Sequence, residues 1–177
     1  MASPRKIVVT AATAADEPIL WRMLTFAASM GDGEDDQLAR AQADPYLRSY
    51  GQNWCQQPGD VGVVAREQSR RAIGAAWLRL AGRPDRLRVA EPSLPELAMG
   101  VVPEARGQGV GSRLLRELIR QAAPLHPAMV LSVRADNPAR RFYVRHGFVE
   151  VGTMTNRVGG TSIVMKLDLH RIPPSGA

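Results

Sequence analysis

The chain has 177 residues, 45% apolar and 23% charged, which is the make-up of an ordinary globular protein large enough to bury one substantial core. Its 23 basic and 17 acidic residues leave a net charge of +6, but the arginines are scattered, only Lys6 and Lys166 are lysines, and aromatics are 5%, so a nucleic-acid partner is not expected. No apolar run approaches a membrane span, the single Cys55 excludes an internal disulfide, and His126, His146 and His170 share no ligand spacing with carboxylates, so neither a membrane nor a metal is expected.

Residues 1–4 read as a flexible end, and the β-branched run Lys6–Thr10 predicts the first strand. Thr13 with Asp16 three residues later fits a capping box. Ile19, Leu20, Met23, Leu24 and Ala27 then recur at helical spacing, predicting a helix to about Ser29. Gly31-Asp32-Gly33 ends it. Glu34–Ala43 reads as a second helix stopped before Pro45, and a further helical segment spans about Tyr46–Trp54. The acidic residues Asp32, Glu34, Asp35 and Asp36 read as solvated helix-start charge, with attraction of a cationic amine as the alternative. Cys55, beside Trp54, reads as a small packed side chain.

Val61–Glu67 and Ala72–Leu80 form a hairpin joined by a polar turn, and the Pro- and Gly-containing loop Ala81–Pro95 is long enough to suggest a functional edge. Glu96–Val102 is the fourth strand. It runs into a turn at Pro103, three glycines at 107, 109 and 111, and a helix marked by Leu114, Leu115, Leu118 and Ile119 that ends before Pro124. A helix N-terminus leaves N–H groups unpaired and carries partial positive charge, so glycines that let a ligand approach make it an anion seat. A Walker-type loop would need Lys-Ser/Thr after its last glycine, and a dinucleotide fingerprint G-x-G-x-x-G; here Ser112-Arg113 follow a G-x-G-x-G spacing. Met129–Arg134 is the fifth strand, Ala139–Arg145 a helix capped by Gly147, and Phe148–Gly152 with Thr161–Leu169 a last antiparallel pair. The order is β-α-α-β-β-β-α-β-α-β-β, without internal repeat.

The arrangement Arg106-x-x-Gly109-x-Gly111 after a Val-x-Pro-like strand end resembles the pyrophosphate-binding motif of the GNAT superfamily, the acyl-CoA N-acyltransferases. Leu131–Phe148, with Asn137, Ala139, Tyr143, Gly147 and Phe148, is similar to the family's other recognisable region, and the likeness extends loosely over residues 6–169. Many members place the Asn seven residues before the Tyr, whereas Asn137 precedes Tyr143 by six, so Asp136 or Asn137 takes that position.

The resemblance implies an α/β (α+β) GNAT fold: a mixed central sheet of about seven strands, splayed between strands four and five and flanked by about four helices. Residues 5–170 would form a single domain and 171–177 a flexible tail. It further implies an acetyl-CoA-dependent N-acetyltransferase that acts on a primary amine, as a small molecule or peptide, by direct attack in a ternary complex. No Ser-His-Asp or Cys-His arrangement suggests an acyl-enzyme. A non-catalytic acyl-CoA-binding sensor is the alternative. A cytoplasmic location is the default, and a homodimer is allowed because dimers are frequent among similar proteins.

In this reading the pantetheine arm lies along the main chain of Met99 and Val101, with Val102 next in line, and Gly100 marks a bulge that opens the gap. The pyrophosphate sits on the N–H groups of Arg106, Gly107, Gln108, Gly109, Val110, Gly111 and Ser112, beside the Arg106 side chain. Asn137 and Tyr143 join the cofactor site; Arg140 and Arg141 either meet the adenosine phosphates or lie on a solvated helix surface. Tyr143 matches the position that protonates the departing thiolate. Glu96 is the candidate base, directly or through water, or else an ordinary strand-edge carboxylate. Relatives that acetylate protein N-termini use a Glu on the fifth strand, about where Ser132 stands here. Trp21, Phe26, Met30, Tyr50 and Trp54 are candidates for the acceptor pocket, with core packing the alternative.

Overall fold

Apolar strands and amphipathic helices organise around one mixed sheet in the computed structural model, which describes residues 6–28, 34–80 and 93–171. In chain order these are β1 (Val8–Ala11), α1 (Glu17–Ala27), α2 (Glu34–Ala43), α3 (Pro45–Gly51), β2 (Val61–Arg66), β3 (Ala72–Arg79), β4 (Glu96–Val101), α4 (Val110–Ala122), β5 (Ala128–Arg134), α5 (Ala139–Arg145), β6 (Val149–Thr155) and β7 (Thr161–Asp168). The sheet runs β1-β2-β3-β4-β5-β7-β6. Among the described residues only the central β4–β5 pairing is parallel. No described helix is long and apolar enough to cross a membrane.

Five α-helices are described where about four were expected, and the three between β1 and β2 include the further helical segment expected after Pro45, which ends at Gly51 rather than near Trp54. The boundary between α2 and α3 is a capping event. Asp44 leaves the helical conformation and its carboxylate accepts the Tyr46 and Leu47 N–H groups, while Pro45 takes the first helical position, so α2 stops and α3 begins. The Thr13–Asp16 pair forms as its spacing predicts, with the Thr13 N–H donating to Asp16 at 2.8 Å. Arg66 of β2 then holds the other Asp16 oxygen at 2.5 Å, tying the start of α1 to the sheet. Cys55 is exposed rather than packed, in a loop where Asn53 and Cys55 have φ of 55° and 65°.

The amphipathic α4 buries Leu114, Leu115, Leu118 and Ala122 and packs across β2 and β3. Each fully buried leucine is worth about 1.5–3 kcal/mol, so this stripe is a main source of cohesion on that face. Helix α1 lies over β4. Gly100 is not a bulge: β4 keeps an unbroken register with β3, from Gly74↔Val101 to Arg79↔Glu96. Glycine is required there because a Cβ would lie 2.1 Å from the Met23 carbonyl oxygen of α1. The helix backbone rests directly on the strand.

One side chain holds the end of α3. Arg79 of β3, 4% exposed, pairs with Asp60 at 3.2 Å and donates to the carbonyls of Gln52 at 2.6 Å and Asn53 at 3.2 Å. Trp77 Nε1 adds a bond to the Tyr50 carbonyl at 2.8 Å. Gly100→Ala, which forces α1 off β4, is expected to lower stability by about 3 kcal/mol or more. Urea denaturation checks this, and a wild-type midpoint would contradict the contact.

Candidate active site

Strands β4 and β5 are joined at one register position, Glu96↔Val130, with the Val130 N–H on the Pro95 carbonyl at 3.0 Å. Beyond it they part. The opening is a cleft of about 580 Å3 walled by β4 from Glu96 to Val101, by β5 from Leu131 to Arg134, by α1 and α3, and by the β6–β7 turn.

The Val102 N–H is spent on the Ile73 carbonyl at 3.0 Å, on the β3 side, and Val102 does not line the cleft. Main-chain groups alternate along a strand, so those of Met99 and Val101 point the other way, into the gap. Arg106 reaches this edge and its Nε donates to the Val101 carbonyl at 3.1 Å. Of the expected phosphate-binding turn, Arg106 lines the cleft, while Gly107 to Ser112 lie beyond its wall. Gly107 and Gly109 have φ of 72° and 77°, left-handed values that favour glycine, and no atom lies within 4 Å of where either would carry a Cβ. Gly109 is the N-cap of α4, so the first-turn N–H groups of Val110, Gly111 and Ser112 have no helical acceptor. Gln108 turns away and donates to the Glu104 carbonyl at 2.8 Å.

Asn137, rather than Asp136, reaches the cleft, and its Oδ1 accepts the Ala139 N–H at 2.9 Å to start α5. Asp136 is exposed and paired with Arg134 at 3.0 Å, which holds its carboxyl below the usual range. Arg140 is drawn to Glu150 on β6 at 2.6 Å, and neither it nor Arg141 lines the cleft.

Tyr143 and Glu96 line the same cleft. Tyr143 packs edge-on to Phe142 and Phe148, and burial pushes its phenol up to about 12. Glu96 is 4% exposed and receives hydroxyls: Tyr50 hydrogen-bonds its carboxylate, and Ser132 Oγ donates to Oε1 at 3.4 Å. Tyr46 Oη lies 2.9 Å from Tyr50 Oη. Either hydroxyl of this pair can be the donor. Burial, and then the Glu96 charge, raise the Tyr50 pKa well above its ordinary value, so this phenol stays a donor.

Tyr46 joins the expected Tyr50 in lining the cleft. Their i, i+4 spacing on a short helix, which puts both on one face, was the available signal. Phe26 and Tyr50 line the cleft, whereas Trp21 and Trp54 are core residues, packed where Gly51 and Gly62 leave room for their rings. Met30 and Asp32 lie outside the described residues, as do positions 81–92 of the long loop. Among the described residues no group of three or more His, Cys, Asp or Glu is placed to hold a metal ion. The burial of Tyr143 predicts that the absorbance difference between wild type and Tyr143→Phe titrates near pH 12; a transition near pH 10 would mean an accessible phenol.

Comparison with known proteins accords with this architecture. A spermidine N-acetyltransferase chimera of Vibrio cholerae SpeG and hSSAT is similar over 93% of this chain and 96% of its own, at 16% identity and a TM-score of 0.65. The yncA protein of Salmonella typhimurium, solved with its cofactor acetyl-CoA, is similar over 97% and 98%, at 22% identity and a TM-score of 0.63. A GCN5-related N-acetyltransferase from Kribbella flavida is similar over 92% and 97%, at 18% identity and a TM-score of 0.60. These likenesses concern the fold. No curated protein sequence matches. Residues 58–150, from the loop before β2 through the glycine turn and α5, match the acetyltransferase (GNAT) domain. That match covers more than half of the chain, which therefore belongs to the GNAT acetyltransferase family.

Proposed function

We propose that the protein transfers the acetyl group of acetyl-CoA to a primary amine by direct attack within a ternary complex, with residues 5–170 acting as one domain. The observation that carries this reading is the cleft where β4 and β5 part, with Glu96, Tyr143 and the unpaired edge of β4 all facing it. The residues present fit the cofactor. Arg106 and the N–H groups from Gly107 to Ser112 suit a pyrophosphate, and the main chain of Met99 with the N–H of Val101 suits an extended amide-bearing arm. When bound, acetyl-CoA supplies an activated thioester, whose C–S bond breaks as the N–C bond to the amine forms.

The chain's own residues then have separable tasks. Glu96 takes the proton that the attacking ammonium must lose, since an alkylammonium has a pKa of about 10.4 in water. A main-chain N–H of β4 aimed into the cleft donates to the developing oxyanion. Tyr143 donates a hydrogen bond to the leaving sulfur. Complete proton transfer from a phenol near 12 to a thiolate whose acid has a pKa of about 8.5 is uphill by roughly 5 kcal/mol, so hydrogen bonding rather than full protonation is its main contribution. Holding both reactants in one cleft provides the rest. The likeness in fold to spermidine N-acetyltransferases of Vibrio cholerae supports an amine as acceptor.

Gly109→Val places a β-branched residue at φ 77° in the anion seat. Calorimetric titration with acetyl-CoA is expected to show at least a tenfold loss of affinity with circular dichroism unchanged, and full affinity would contradict the assignment. Binding by the wild type without transfer to any amine would favour the sensor reading. Tyr50→Phe removes a hydroxyl donor beside the Glu96 carboxylate, which disfavours its charged form, so the acidic limb of the rate profile is expected to move upward. An unmoved limb would remove Glu96 from the chemistry.

A further inference from the structure

We propose that the acceptor is an amino acid or a close analogue, an amine that carries a carboxylate, and that Arg157 recognises this carboxylate while Glu96 receives the amine; the inference rests on the acetyltransferase reading above. Among the described residues, the charged side chains lining the cleft are Glu96 and three arginines, Arg106, Arg134 and Arg157. Arg106 adjoins the glycine turn and Arg134 pairs with Asp136 beside the start of α5, both toward the expected cofactor. Arg157 belongs to the acceptor side. It projects from the β6–β7 turn to Asp44, at the N-terminus of the helix that carries Tyr46 and Tyr50.

Its mounting is firm and its charge is only partly spent. Asn156 Oδ1 accepts the Val158 and Gly160 N–H groups at 3.1 and 2.9 Å, and the Asn156 N–H bonds the Gly160 carbonyl at 2.7 Å, which fixes the turn. Arg157 Nη1 lies 3.2 Å from Asp44 Oδ2, but Asp44 Oδ1 is engaged by the Tyr46 and Leu47 N–H groups. The Asp44 charge is thus divided between a helix terminus and the guanidinium. A guanidinium has five donors in a planar fork, so donors remain for a carboxylate, the partner that this fork matches.

Helix α3 consequently joins two poles of opposite sign. Its N-cap Asp44 holds the cation, and about 9 Å of helical rise further on Tyr50 holds the Glu96 carboxylate. An amine with a nearby carboxylate satisfies both. A polyamine would set a second ammonium group against the Arg157 guanidinium, where like charges oppose binding.

The test uses the full chain with acetyl-CoA and compares initial rates for the proteinogenic amino acids, their carboxamides and spermidine. At least one amino acid is expected to be acetylated with a kcat/KM tenfold or more above that of its amide. Arg157→Gln should abolish this discrimination through KM, and Arg157→Lys should restore part of it, both with wild-type affinity for acetyl-CoA. Preference for spermidine or the amides, turnover of no amino acid despite acetyl-CoA binding, or discrimination that survives in Arg157→Gln would overturn the inference. Failure of the wild type to bind acetyl-CoA would instead overturn the acetyltransferase reading itself.

Discussion

The site depends on the two central strands being committed to opposite neighbours. β5 gives its outer edge to β7 along its whole length, from Ala128↔Asp168 to Arg134↔Ser162. β4 is held on β3 from end to end and is overlain at Gly100 by the α1 backbone. Sheet twist rotates each half with its own partners, so one shared position, Glu96↔Val130, is what remains between them. Backbone N–H and C=O groups left unpaired in a closed interior would be costly. A wedge open to a polar, extended guest is the arrangement that avoids this cost.

The side of the cleft that carries Glu96 and Tyr50 is fixed from behind by Arg79. Cationic donors suit the carbonyl end of a helix, and Arg79, with Trp77, occupies that end of α3. Taking Arg79 and Asp60 out of water is expensive, but the guanidinium meets one carboxylate and several carbonyls in exchange. Arg79 and Glu96 are also direct cross-strand partners, so both stand on one face of the sheet. The position of Tyr50 over Glu96 therefore depends on a residue outside the cleft. A rigid support behind a reacting group is what gives that group a defined direction.

Much of the element order was legible because its signals are local. The Thr13–Asp16 spacing, the apolar stripe of α4 and the glycines at φ 72° and 77° each follow from a few adjacent residues. Features that depend on distant partners were not. Gly100 reads as a bulge until the path of α1 is known. Arg140 reads equally as a phosphate ligand or a solvated surface arginine, and its partner Glu150 is known only once β6 is placed; Val102 reads as a cleft residue until Ile73 takes its N–H. Tyr46, Tyr50, Glu96 and Ser132 come from three elements, and Asp60 and Arg79 belong to no motif. Trp21 and Trp54 look suited to a pocket by size, yet glycines elsewhere make room for them in the core.

The bond from Arg106 to the Val101 carbonyl has a bearing on solubility. An unpaired strand edge is what a second chain would extend into a shared sheet, and proteins commonly blunt such edges with a charge or a cover. Here the edge is turned inward between strands, roofed by α1 and α3, and its last carbonyl is occupied by an arginine. Because that edge faces the cleft and not the outer rim of the sheet, a second chain finds no flat, exposed strand there to extend.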